Sequence, residues 1–181
     1  MHSDLNPTTL RGYVQLGAGI DPVGAAQYLG PLIIAQKDRP VRVKLSNLLP
    51  TGPGGNLFLP VDPSVMGAGL GPDMTNMYTQ NRTVLHLHGG ATPWISDGTP
   101  HQWITPQGEV TPYVQGVSVQ PVPDMPLPTV GDGTATYYYT NAQSSRMMFY
   151  HDHSYGITRL NIYAGEAAGY ILTDATEESL I

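Results

Sequence analysis

Apolar and polar residues alternate most cleanly in Val41-Arg42-Val43-Lys44-Leu45, where every second side chain is apolar. That is the pattern of a strand with one face on a core, and Pro40 to Leu45 is predicted as such a strand. Leu32-Ile33-Ile34-Ala35-Gln36 is a β-rich run before it, and Lys37-Asp38-Arg39 forms the turn between them. Strand character returns at Arg82 to His88, stops at Gly89-Gly90, and recurs at Val114–Val119, Thr134–Thr140, Arg146–Tyr150 and Gly169–Thr173. Thr9–Leu16 is a further candidate in the opening segment. Leu49 to Asn81 holds five prolines and six glycines without an amphipathic period, which predicts a long surface loop. About seven short strands separated by turn signals, with no helical period, predict an all-β fold, an antiparallel sandwich with Greek-key connections.

Composition supports a packed domain. Apolar residues make up 40% of the 181 and charged ones 12%, the reverse of the balance that keeps a chain disordered. The 21 glycines and 17 prolines follow no three-residue period and so mark turns, not collagen. A net charge of −6, with only Lys37 and Lys44 as lysines, leaves no basic surface to neutralise phosphates, so nucleic acid is not an expected partner. No apolar run approaches the roughly 20 residues of a membrane span, and the N-terminus lacks a signal-peptide pattern. With no cysteine, the chain has no disulfide, no thiolate metal site and no cysteine nucleophile.

The candidate chemistry lies in the histidines. Four of six fall in two His-X-His pairs, His86-Leu87-His88 and His151-Asp152-His153. Side chains two apart on a strand share a face, with Cα atoms about 6.5–7 Å apart. Both rings of a pair therefore point one way and can serve neighbouring metal ions. Each pair closes a strand just before turn-forming residues, where sites are commonly placed. An all-imidazole donor set suits copper, zinc, iron or nickel, so spacing indicates a metal without choosing one. His2 and His101 read as solvated, and Tyr137-Tyr138-Tyr139 as strand packing. Asp152 alternates away from its flanking histidines and is expected to bond an imidazole from behind instead of binding metal.

Several ordered segments together resemble one family. They are Ser46-Asn47-Leu48-Leu49-Pro50, Phe58-Leu59-Pro60-Val61-Asp62, HLHGG at 86–90, SDG at 96–98 and YHDHSYGITRLNIYAGEAAGYILTD at 150–174. The resemblance is to the multicopper oxidases, particularly the bacterial spore-coat type of laccase and its bilirubin-oxidase-like relatives. It runs from about Gly30 to Asp174, and the first thirty residues match poorly. It implies a cupredoxin-like sandwich and copper as cofactor. Family members usually combine three such domains, a type 1 copper with a cysteine ligand, and a trinuclear cluster that reduces dioxygen to water. That cluster is held by four His-X-His motifs, two each from the first and last domains.

The two motifs here match the first-domain pair. By resemblance, His86 binds the type 2 copper, His88, His151 and His153 bind the type 3 coppers, and Asp97 matches an acidic residue that assists proton delivery. Read from the residues alone, Asp97 is a turn aspartate before Gly98. The implied organisation is an N-terminal extension over 1–30, a cupredoxin domain over 31–176 and the start of a linker over 177–181. Since the type 1 cysteine is missing, the chain is expected to be inactive alone and to need the remaining cupredoxin domains, or a complementary subunit, together with dioxygen. An extracytoplasmic or spore-surface setting is also implied. A different class of function uses the same histidines: a non-catalytic metal-binding or structural cupredoxin module.

Overall fold

The computed structural model describes residues 3–17, 21–126 and 128–180. Six strands form in chain order: β1 (Ile33–Gln36), β2 (Val41–Ser46), β3 (His86–His88), β4 (Thr134–Tyr139), β5 (Arg146–His151) and β6 (Ala167–Thr173). Two short helices follow β5 and β6, namely α1 (Thr158–Ala164) and α2 (Ala175–Glu178). One sheet has the order β1-β6-β5-β3, and β2 pairs with β4 in a second. All pairings are antiparallel except β1 with β6, which is parallel, a departure from the all-antiparallel expectation.

The two sheets bury their alternating positions against each other. Ala35, Leu87, Met148, Tyr150, Ala168, Tyr170 and Leu172 from the larger sheet meet Ala135, Tyr137 and Tyr139 from the smaller, with Val84, Leu85, Trp103 and Ile104 closing the core. Val41, Val43 and Leu45 pack on the same core, as their alternation predicts. Fully buried large apolar side chains such as Leu87 and Leu172 each contribute roughly 1.5–3 kcal/mol.

Tertiary context overrode the local pattern in four places. Of Thr9–Leu16 only Leu16 makes a bridge, to Pro22, and of Val114–Val119 only Gln115 does, to Ile104. In the Arg82–His88 run the strand is limited to the last three residues. The 49–81 loop is not simply superficial, since Leu57 and Ala68 form a second small core with Ile157 and Ala164. Helix α1 has no apolar stripe to announce it: its buried residues are Asn161 and Ala164, and it ends on Gly165 at φ 119°, a left-handed cap that favours glycine. The charge of Arg82 is wholly buried between the rings of Tyr78 and Trp103, 4.8 and 4.9 Å from their centroids.

Glu166, just before β6, is buried and accepts the Thr83 hydroxyl at 3.0 Å. Burial, reinforced by the nearby Asp152 charge, raises its pKa well above 4.5, so the folded state favours the neutral acid. A raised carboxyl pKa gives a contribution fully present below the unfolded value and lost as pH rises through the folded one. Glu166→Gln keeps an acceptor for Thr83 and removes that loss. The variant is expected to gain on the wild type progressively above pH 4.5 in urea denaturation series; a gap independent of pH would show that the carboxyl does not titrate.

Candidate metal centre

The register of β3 against β5 builds the site. His86 pairs directly with His151, Leu87 with Tyr150 and His88 with Phe149. Leu87 and Tyr150 turn into the core, so His86, His88 and His151 share the outer face of the sheet. His153 follows β5 and stacks on His86, with ring centroids 4.8 Å apart and planes 21° from parallel. His88 stacks in turn on Phe149 at 4.6 Å. Two pairs distant in sequence thus form one imidazole cluster at one end of the sandwich.

One ligand nitrogen each from His86, His88 and His151 lie within 4.8 Å of one another. His88 Nδ1 and His151 Nε2 are 3.1 Å apart. Two nitrogens bound at about 2.0–2.1 Å to one ion have a separation of this order. His153 is not in that group; its ring lies 4.8 Å from that of His86 and 5.6 Å from that of His151.

Backbone carbonyls aim three of the rings. His86 Nδ1 donates to the Asp97 carbonyl, His151 Nδ1 to the Asp152 carbonyl at 2.6 Å and His153 Nδ1 to the Gly98 carbonyl at 3.2 Å. A carbonyl only accepts, so Nδ1 carries the proton and Nε2 offers its lone pair to metal. Burial lowers the pKa of His151 and of His153; His86, His153 and His88 lower that of His151 further, and His86 that of His153. For His151 and His153 this favours the neutral form that metals bind.

The 97–98 turn holds one histidine from each pair, which the sequence did not reveal, because the interaction uses main-chain oxygens. The local signal was the Asp-Gly step itself: Gly98 adopts φ 71° and packs against the Leu85 carbonyl, leaving no room for a side chain. Gln102 braces the turn by accepting from Thr99 N at 2.7 Å and donating to the Ile95 carbonyl at 3.1 Å. The Asp97 carboxylate accepts the Thr92 hydroxyl at 2.8 Å and lies 3.9 Å from His86 Nδ1. Its side chain is 38% exposed, so it borders both solvent and site.

Asp152 fixes an imidazole as expected, but through its main chain. Its carboxylate reaches no imidazole, and its carbonyl is what holds His151. His101 lies apart from the cluster, against Tyr155 with ring centroids 4.6 Å apart. His2 is outside the described residues. Tyr137 and Tyr139 are buried packing residues, as expected.

The laccase of Bacillus subtilis (strain 168) is 34% identical over 181 residues, covering 99% of this chain and 28% of its own length. The laccase of Bacillus stratosphericus is 36% identical over 182 residues, with the same coverage of each. The chain is a multicopper oxidase domain. A crystal structure of a laccase from Pediococcus acidilactici shares its fold, with a TM-score of 0.52 at 20% identity over 98% of this chain and 29% of that one. No family model matches. This multicopper oxidase domain spans little more than a quarter of the laccases it matches. Copper is the metal that family membership implies, and an all-nitrogen donor set fits it. The domain is an all-β cupredoxin sandwich, and among its described residues no helix is long and apolar enough to cross a membrane.

Proposed function

We propose that this multicopper oxidase domain is the first cupredoxin domain of a laccase-like enzyme and supplies half of the histidines of a trinuclear copper cluster that reduces dioxygen to water. The observation that carries this reading is the convergence of two His-X-His pairs at one end of the sheet, with His86 opposite His151. In this reading His86 holds the type 2 copper, while His88, His151 and His153 hold type 3 coppers. Copper, when bound, supplies the electron transfer to dioxygen. The protein's own contribution is to fix the imidazole tautomers and to bring protons through Asp97, which touches both solvent and the His86 surroundings. The cupredoxin unit runs over 31–176, with 1–30 as an extension and a linker from 177.

The missing partner is another cupredoxin domain of the same enzyme or a complementary subunit. The face that carries the histidines continues into Ile34, Met147 and Phe149, which are 67%, 76% and 45% exposed. Strand register places Ile34 and Met147 on either side of Ile171, and Phe149 beside His88. An apolar surface bordering half a metal site suits burial by a second domain. Absence of cysteine removes a type 1 site from this chain.

The copper-loaded chain alone is expected to bind Cu(II) through these histidines, with His151→Ala markedly weakening binding, and to show no sustained oxygen consumption with phenolic substrates. Oxygen electrode measurements check the second point. Steady turnover by the pure chain, abolished by chelation, would contradict the half-site reading, and copper binding indifferent to His151→Ala would remove the metal assignment.

A further inference from the structure

Asp152 sits between two of the histidines, is fully buried, and turns its carboxylate away from both rings. One oxygen, Oδ1, accepts Val84 N–H at 2.9 Å and the Ser154 hydroxyl at 2.7 Å. The other, Oδ2, accepts Ser154 N–H at 2.9 Å and the Asn161 amide at 3.0 Å. All four partners donate, a set suited to a carboxylate, which only accepts. Burial raises the Asp152 pKa, and these same donors oppose the rise.

The partners come from both halves of the site. Val84 stands two residues before His86, so Oδ1 reaches across to the segment that leads into the first histidine pair. Ser154 directly follows the second pair. Asn161, fully buried on α1, also donates to the Arg82 carbonyl at 3.2 Å, tying the helix to the same lead-in. The Asp152 peptide completes the connection: its N–H donates to the Glu166 carbonyl at 3.1 Å, and its own carbonyl takes His151 Nδ1.

We infer that Asp152 is a positioning residue for the copper centre: its buried carboxylate sets the spacing between the two His-X-His pairs and aims the Asp152 carbonyl at His151, without touching metal. The inference rests on the four histidines being copper ligands. A carboxylate that only stabilised the fold would, on substitution, cost stability and leave the copper affinity of the folded molecules unchanged. A positioning carboxylate alters the affinity and the ligand field as well.

The test is a Cu(II) titration of the whole chain, with affinity from chelator competition, nitrogen hyperfine structure from electron paramagnetic resonance, and folding from near-ultraviolet circular dichroism. Asp152→Asn keeps the shape but sets an amide NH₂ against donors. It is expected to weaken copper binding about 10–100-fold, the usual cost of losing a residue that orients metal ligands, and to change the hyperfine pattern. If that variant does not fold, Ser154→Ala removes one donor and leaves the Val84 tie; a smaller loss in the same direction is expected. Folded variants with wild-type affinity and spectrum overturn the positioning role while wild-type copper binding stands. Wild-type chain without imidazole-bound copper, or with copper indifferent to His86→Ala, overturns the ligand assignment and this inference with it.

Discussion

Gly98→Ala is expected to destabilise the domain by about 3 kcal/mol and to abolish tight copper binding. Two costs combine, a left-handed backbone imposed on a non-glycine residue and overpacking against a fixed main chain, each of order 1–3 kcal/mol. Gly98 has φ 71°, and a Cβ there would collide with the Leu85 carbonyl and the His86 Cα. Neither obstacle is the end of a flexible side chain, so relief requires the backbone beside His86 to move. The same shift displaces the carbonyls that hold His86 and His153. Urea denaturation and copper titration check the two effects. A variant with wild-type stability and affinity would show that the 97–98 turn neither constrains the fold nor aims the rings.

Asp97→Asn, made in a complete enzyme carrying this domain, is expected to lower turnover about ten-fold or more while leaving fold and copper content intact. Reduction of dioxygen to water consumes protons as well as electrons, and a positioned acid–base group typically contributes 10²–10⁴-fold. Asparagine retains the oxygen that accepts the Thr92 hydroxyl and the carbonyl that takes His86, so the turn survives. Only the titrating group is lost. The deficit should deepen as pH rises and protons become scarce, which a pH–rate profile of fully loaded enzyme would resolve. Turnover equal to wild type at every pH would leave Asp97 as a turn residue alone.

Asp97 shows how far the sequence reaches and where it stops. Period-two alternation placed β2, and short β-branched or aromatic runs between turn signals placed β1, β4, β5 and β6. The His-X-His spacing likewise announced the shared face of His86 and His88, since strand geometry is local, whereas His153 lies beyond the end of β5 and is brought to the cluster by the fold. By itself the sequence therefore determined a β-sandwich with two imidazole pairs at strand ends, and it excluded a thiolate site.

Only the tertiary structure decided the rest. It made β1 and β6 parallel, reduced Val114–Val119 to a single bridge, and formed α1 on buried Asn161. These outcomes depend on partners far away in the chain, and the helix buries a polar side chain that hydrophobic periodicity does not count. The pairing of His86 with His151, the Asp97 and Gly98 carbonyls behind the rings, and the link from Asp152 to Val84 also join segments from 11 to 68 residues apart. Main-chain oxygens carry no residue identity, so a sequence can name the histidines of a candidate metal centre while the fold alone decides what aims them.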